Sequence, residues 1–212
     1  MTSQPVNMGA AVLCGGKSQR MGQPKHSLPF GDDECLLQRV LRTLQAVADP
    51  IAVVAADEQA LPALPEDVVI LRDERPNLGP LSGLATALTA MQARCEVLYA
   101  SSCDVPFLQP SFVTGLFSRL GDSDMAIVRG EKHAHPLAAI YRTRIAPQLR
   151  TLLDANRLRP IFLLDECDAV IVTENEMREF DPNLQTLRNV NTPEQYTEAL
   201  RLAGLTASEG SK

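Results

Sequence analysis

Residues 10–25 read Ala10-Ala11-Val12-Leu13-Cys14-Gly15-Gly16-Lys17-Ser18-Gln19-Arg20-Met21-Gly22-Gln23-Pro24-Lys25. The first five residues are apolar and predict a buried strand, whereas the glycines and polar side chains after them predict a loop. Glycines let backbone N–H groups approach an anion closely, and Lys17, Arg20 and Lys25 supply positive charge. A strand that runs into such a loop is typical of α/β proteins that bind phosphate at a strand end. We expect the active site to form around this loop.

Two familiar phosphate-binding motifs do not fit the loop. Gly16-Lys17-Ser18 resembles the end of a Walker A motif, but Ala11 stands at the position of its first glycine. The glycine spacing does not match GxGxxG either. The sequence therefore supports neither a P-loop NTPase nor a dinucleotide-binding Rossmann protein.

Short apolar runs alternate with segments of helical spacing along the rest of the chain. The remaining predicted strands are 51–56, 68–71, 95–100, 125–128, 137–141 and 169–172, and the predicted helices are 36–47, 57–61, 81–91, 110–120, 145–156 and 193–202. This alternation predicts βαβ units, and therefore a single-domain, three-layer α/β/α protein with a mostly parallel, Rossmann-like sheet. We expect a flexible leader at 1–8, the folded domain at 9–204 and a tail at 205–212.

Composition narrows the class of ligand and the compartment. The 212 residues carry a net charge of −6, which argues against a nucleic-acid partner, because binding a polyanion normally needs a basic face. No apolar run approaches the ~18 residues of a membrane span. The five cysteines occur singly, without CxxC pairs, so reduced thiols in a cytoplasmic protein are expected. A basic loop in an acidic protein indicates a small anionic ligand.

Three polar loops follow predicted strands, at residues 14–25, 72–83 and 101–108. In a doubly wound sheet, ligands bind outside the carboxyl ends of the strands, where the strand order reverses. We expect the three loops to converge on one cleft.

Two aspartates in these loops are candidate ligand-binding residues. Asp104 follows a buried strand and is suited to Mg²⁺, which takes one or two carboxylates plus substrate phosphates; the alternative is that it bonds its own loop or caps a helix. Asp73 could bind a base or ribose, or form an ion pair with Arg72 or Arg75. Residues 79–83 could present a helix N-terminus to the ligand or simply begin a helix.

Five segments in this order are similar to those of a known family, and they span about residues 9 to 200. They are 13–25, Gly79-Pro80-Leu81-Ser82-Gly83, Cys103-Asp104-Val105-Pro106-Phe107-Leu108, His135-Pro136 and Asn189-Val190-Asn191-Thr192-Pro193. Together they resemble the molybdenum cofactor guanylyltransferases, the MobA family of the nucleotidyltransferase fold. The first segment alone would indicate only a nucleotidyltransferase, because sugar-nucleotide and cytidylyl enzymes share it.

The resemblance implies a reaction and a set of site residues. The terminal phosphate of molybdenum-loaded molybdopterin would attack the α-phosphorus of GTP and release pyrophosphate, with Mg²⁺, or Mn²⁺, as cofactor. The implied catalytic residues are Arg20, Lys25 and Asp104, with Asp104 as the metal ligand. The implied nucleotide-binding residues are Leu13, Cys14, Gly15, Gly16, Lys25, Asp73 and Asp104, and Asn189 and Asn191 would line the pterin side. Transient contact with molybdopterin-supplying proteins or molybdoenzyme chaperones is a further expectation.

Three positions depart from the family pattern. Cys14 stands where alanine is usual, and Pro24 stands before Lys25 where an acidic residue is commoner. Val54-Ala55-Ala56 replaces a segment in which the family tends to carry a nucleotide-contacting asparagine. The paired Gly15-Gly16 resembles the guanine-selecting version, and the alternative is a CTP-dependent or sugar-phosphate nucleotidyltransferase on the same scaffold.

Overall fold

The computed structural model describes residues 7–15, 24–31, 33–73, 75 and 78–205. The strands are β1 (Met8–Leu13), β2 (Ile51–Ala55), β3 (Val69–Arg72), β4 (Val97–Ser102), β5 (Met125–Arg129), β6 (Ala134–Arg142) and β7 (Ala169–Thr173). The α-helices are α1 (Leu36–Leu44), α2 (Pro80–Met91), α3 (Pro110–Arg119), α4 (Ala146–Asp154), α5 (Glu174–Met177) and α6 (Pro193–Leu202). Short 3-10 helices cover Lys25–Ser27, Thr143–Ile145, Pro160–Asp165 and Gln185–Leu187.

The seven strands form one sheet in the order β3-β2-β1-β4-β6-β5-β7. Neighbouring strands are parallel except where β6 pairs with β4 and β5. The predicted mostly parallel sheet is therefore confirmed. β6 runs antiparallel because only four residues separate it from β5, which is too few for a parallel crossover.

Alternate residues of each central strand face opposite layers of helices. Ala10 and Val12 of β1 pack on the side of α1 and α3, whereas Ala11 and Leu13 pack on the side of α2 and α4. The strands are buried on both faces, which explains their unbroken apolar sequences. This is the three-layer α/β/α arrangement that the sequence predicts. Within the described ranges, no helix has the length and apolarity needed to cross a membrane.

Some predicted elements differ from the observed ones. The short helix predicted over 57–61 is absent; Gln59 N–H donates to Ala56 O in a single turn, and the Gln59 side chain bonds the Ala56 N–H that would start a helix. β1 begins at Met8, within the predicted leader. Residues 1–6 and 206–212, which hold most of the predicted leader and tail, lie outside the described residues.

A β-bulge reshapes β6 beside the carboxyl end of β4. Ile127 pairs with Ala139 but Val128 pairs with His135, so extra β6 residues lie between the two pairs. Pro136 fits inside this strand because a bulge leaves residues without ladder hydrogen bonds. Leu137 next to it lines the cleft described below.

Two fully buried tyrosines provide a test of the core. The Tyr141 hydroxyl donates to Pro136 O at 2.9 Å, whereas the Tyr99 hydroxyl has no partner among the described residues. A buried hydroxyl without a partner costs about 1–3 kcal/mol, and one that is bonded contributes about 1 kcal/mol. Tyr99→Phe should therefore raise the free energy of unfolding by about 1 kcal/mol, and Tyr141→Phe should lower it by about 1 kcal/mol. Urea unfolding measures both, and a stabilising Tyr141→Phe or a clearly destabilising Tyr99→Phe contradicts these hydrogen-bond assignments.

Candidate active site

A cleft of about 690 Å³ opens at the carboxyl ends of β1, β2 and β4. The chain leaves β1 toward β2 and later returns on the other side of β1 as β4, so the strand order reverses here. All three predicted loops contribute to the cleft, as the sequence predicts. Its lining residues are Leu13, Cys14, Gly15, Lys25, Val54, Ala55, Ala56, Gln59, Asp73, Gly79, Pro80, Gly83, Ser102, Cys103, Asp104, Leu137 and Asn189.

One end of the cleft is built around the carboxylate of Asp104, whose side chain is 10% exposed. Its Oδ2 accepts from Lys25 Nζ at 2.9 Å. Its Oδ1 accepts from Ser102 Oγ at 2.6 Å and from Asn189 Nδ2 at 2.8 Å. Lys25 Nζ also donates to Asn191 Oδ1 at 2.6 Å. Asp104 is therefore held in one orientation by an ammonium, a hydroxyl and an amide, which offset the cost of burying its charge.

Three separate parts of the chain bring these side chains together. Asp104 lies in the turn after β4, and Lys25 begins a 3-10 helix after the extended Pro24. The segment before α6 is tied to Asp104, because Val190 N–H donates to Asp104 O at 2.8 Å. Asn191 is fixed by its own N–H, which donates to Gln195 Oε1 at 2.7 Å. The two asparagines thus support Lys25 and Asp104 directly.

The other end of the cleft is lined by the backbone after β1. Cys14 N–H donates to Val54 O at 2.8 Å, and Cys14 O accepts from Gln59 Nε2 at 3.1 Å. Gly15 is exposed, and its peptide N–H and C=O have no hydrogen-bond partner within the described part of the chain. A Cβ at Gly15 would meet no atom within 4 Å. Gly15 lines the cleft and no described residue engages its peptide groups, whereas the Cys14 N–H is already used.

Comparison with known proteins identifies the family. A model described as the MobA-like NTP transferase domain matches residues 10–189. The chain belongs to this family. It is 32% identical over 197 residues to a Methanosarcina mazei protein named "probable molybdenum cofactor guanylyltransferase", covering 87% of this chain and 86% of the relative. A Carboxydothermus hydrogenoformans protein of the same name is also 32% identical, over 94% of this chain and 98% of its own.

A solved structure from Archaeoglobus fulgidus, titled molybdopterin-guanine dinucleotide biosynthesis protein A, has the same fold. Its TM-score is 0.76 at 22% identity, over 93% of this chain and 99% of that one. The present protein is thus a nucleotidyltransferase of the MobA-like family, as the sequence predicts. Of the implied site residues, Gly16 and Arg20 lie outside the described residues. The roles of all the implied site residues stay predictions.

In this MobA-like transferase, Asp73 faces the cleft without an ion pair to the neighbouring arginines. Its Oδ1 accepts from Ser82 Oγ at 2.5 Å and from Arg75 N–H at 3.1 Å. The Arg72 guanidinium instead bonds the carbonyls of Ala56 and Gln59, and the Arg75 guanidinium bonds Asp154. The ion-pair alternative is therefore wrong, and Asp73 remains available to a ligand.

Glycines allow α2 to begin against the cleft floor. Gly79, with φ of 77°, adopts a left-handed conformation that favours glycine, and Pro80 occupies the first turn of the helix. At Gly83 a Cβ would lie 3.1 Å from Leu13 Cδ2, so glycine allows α2 to approach β1 closely. Both glycines line the cleft, which agrees with the proposal that the start of this helix faces the ligand.

The Cys14 thiol beside the cleft is not poised as a nucleophile. The pKa of Cys14 is raised well above its ordinary value, chiefly by a hydrogen bond with the Cys103 thiol and then by burial. A thiol with a raised pKa stays protonated at neutral pH and is a poor nucleophile. All five cysteines are free thiols.

Neither histidine of the β5–β6 hairpin lines the cleft of the MobA-like transferase. His135 Nε2 bonds Glu174 Oε1 at 2.9 Å, and the His133 and His135 rings lie 5.3 Å apart. The contact with Glu174 gives His135 a structural role. Sequence reasoning missed two other residues near the cleft, Gln59 and His26, which bond each other at 2.8 Å.

The donor set around Asp104 fits a divalent cation that a nucleotide brings with it. No cluster of three or more histidine, cysteine or acidic side chains that could hold a metal unaided exists among the described residues. Asp104 offers a single carboxylate beside the hydroxyl of Ser102. Mg²⁺ binds through one or two carboxylates together with substrate phosphates and water, so one aspartate in an open cleft suffices.

Proposed function

We propose that this protein transfers GMP from GTP to the terminal phosphate of molybdenum-loaded molybdopterin and releases pyrophosphate. The observation that carries the proposal is the cleft with two different ends. One end offers the peptide groups of Gly15, which no described residue engages, and the other offers the Lys25–Asp104 pair. A base would match the hydrogen-bonding groups of the first end. A triphosphate would match the charged groups of the second end.

The names of the relatives support the choice of substrates. Both similar proteins described above are named as molybdenum cofactor guanylyltransferases, and the match extends over most of each chain. The paired Gly15-Gly16, which resembles the guanine-selecting version, supports GTP over CTP. Asp73, held by Ser82, is proposed to contact the same nucleotide.

The reaction forms one phosphorus–oxygen bond and breaks another. An oxygen of the terminal molybdopterin phosphate attacks the α-phosphorus, and the bond from that phosphorus to the bridging oxygen of the β-phosphate breaks. A phosphate is already an anion at neutral pH, so its attack requires no general base. This fits a cleft whose described lining contains no histidine.

The residues of the chain act by position and charge. The Lys25 ammonium would contact the phosphates and give up part of its contact with Asp104. Asn191 would keep the Lys25 ammonium at the cleft. Asp104, oriented by Ser102 and Asn189, would hold Mg²⁺, which neutralises charge on the reacting phosphates and the leaving group. Arg20 is proposed to add charge at the same end. Asn189, which bonds Asp104, and Asn191, which bonds Lys25, are proposed to line the pterin side.

A transfer assay tests the proposal. The protein is incubated with Mg²⁺, molybdenum-loaded molybdopterin and GTP or CTP labelled at the α-phosphate. Label from GTP should appear in the pterin product together with one pyrophosphate, and label from CTP should not. Incorporation of cytidine alone would contradict the choice of GTP and support the cytidylyltransferase alternative.

A further inference from the structure

Four hydrogen bonds link the base end of the cleft to the segment that carries Lys25. Gln59 Nε2 donates to Cys14 O at 3.1 Å and lies 2.8 Å from His26 Nδ1. Gln59 Oε1 accepts from Ala56 N–H at 3.2 Å, and His26 Nε2 lies 2.9 Å from Ala60 O. His26 is 4% exposed, whereas Gln59 lines the cleft.

The neighbouring backbone groups fix the direction of each bond. Ala56 N–H can only donate and Cys14 O can only accept, so the Gln59 amide has one possible orientation. Its second N–H then points at His26 Nδ1, which must accept. Ala60 O can only accept, so the His26 proton is on Nε2. His26 is therefore a neutral imidazole, and both N–H groups of the Gln59 amide are used.

The network joins two segments that contact opposite ends of the proposed nucleotide. Cys14 O lies at the base end, and His26 follows Lys25 in the same 3-10 helix. Gln59 bonds both, across sequence separations of 45 and 33 residues. One amide thus bonds both the backbone at the proposed base end and the 3-10 helix that begins with Lys25.

We propose that Gln59 is a positioning residue for nucleotide binding, held in its orientation by His26. Gln59 fixes the Cys14 carbonyl and ties the 3-10 helix of Lys25 to the end of β1. It does so without contacting the reacting phosphorus. The inference rests on the proposed function, because that function places a nucleotide along this cleft.

The test is the Gln59→Met variant, which keeps the length of the side chain and removes its hydrogen bonds. Titration calorimetry with Mg²⁺ and either GTP or CTP gives the Kd, and the transfer assay gives kcat and KM. The Kd and KM of the nucleotide should rise about tenfold, equivalent to losing about 1.4 kcal/mol of hydrogen bonding, while kcat changes less than threefold. A fall in kcat of about tenfold, or an unchanged nucleotide Kd, overturns the inference.

Gln38→Met is the matched control. Gln38 makes the same kind of contacts, accepting from Cys35 N–H at 2.9 Å and donating to Ala63 O at 2.9 Å, but it does not line the cleft. The Gln38→Met variant should lose stability, and its nucleotide Kd should not change. If both variants raise the Kd equally, the effect is general loosening and the inference is wrong.

Two further results keep the inference apart from the proposed function. In the variant His26→Leu the Kd should also rise, but adding His26→Leu to Gln59→Met should raise it no further, because His26 acts on the nucleotide site through Gln59; additive effects contradict this. If Gln59→Met fails to fold, Gln59→Glu replaces it, since its carboxylate would repel Cys14 O.

Binding of CTP instead of GTP by the unaltered protein contradicts the proposed substrate, while the effect of the Gln59 variant on CTP binding still decides the inference. Absence of binding of either nucleotide contradicts both.

Discussion

Replacing Asp104 by asparagine should lower kcat for GMP transfer about 10²–10³-fold, in line with the loss of one preorganised electrostatic group at a reacting phosphate. The variant keeps the shape of the side chain but removes the charge that would hold Mg²⁺. All three groups around the carboxylate, those of Lys25, Ser102 and Asn189, donate to it. An amide nitrogen must face at least one of these donors, so the free energy of unfolding should also fall by about 1–3 kcal/mol.

Asp181→Asn separates the two effects. Asp181 is buried like Asp104 and accepts from Thr186 N–H at 2.8 Å, but it does not line the cleft. Its variant should lose stability and keep kcat. Steady-state kinetics and urea unfolding of both variants check the prediction. Undiminished turnover in Asp104→Asn would remove Asp104 from the catalytic machinery.

The second large effect is expected from Lys25→Met. Loss of the ammonium should lower kcat/KM for GTP about 100-fold, because the charge on the phosphates is no longer offset. The exposed Lys132, on the β5–β6 turn, gives the control Lys132→Met, which should leave kcat/KM unchanged.

Lys25→Met should also change how the protein responds to Mg²⁺ alone. In the unaltered protein the ammonium competes with a cation for Asp104 Oδ2, at 2.9 Å. Without that competitor Mg²⁺ should bind more tightly, and a ligand that binds only the folded state raises the melting temperature. The shift in Tm with added Mg²⁺ should therefore be larger in Lys25→Met than in the unaltered protein. A smaller or absent shift would contradict the assignment of the cation to Asp104.

The fold was predictable because its signals are local. Unbroken apolar runs such as Ile51–Ala55 and helical spacing in α1 follow from burial on both faces of a parallel sheet and one face of a helix. The antiparallel direction of β6 depends on the short turn before it and on pairing with β4, which no single run reveals. The turn at 57–61 depends on a side chain bonding the backbone in place of a helix.

The candidate site was only partly predictable, for a similar reason. Lys25, Asp73 and Asp104 stand out because they follow strands whose carboxyl ends must meet. The direct pairing of Lys25 with Asp104 spans 79 residues, and the role of Asn191 as a support for Lys25 appears only in the folded chain. Gln59 and His26 belong to no local motif, because their proposed role rests on hydrogen bonds between distant segments.

The most direct test of the central claim is a crystal structure with Mn²⁺ and a GTP analogue whose α- and β-phosphorus atoms are joined by a methylene group. The account predicts the guanine against the peptide of Gly15, the triphosphate beside Lys25 and an anomalous manganese peak at Asp104. A nucleotide bound outside this cleft, or one bound with its phosphates at Gly15 and its base at Lys25, would contradict it.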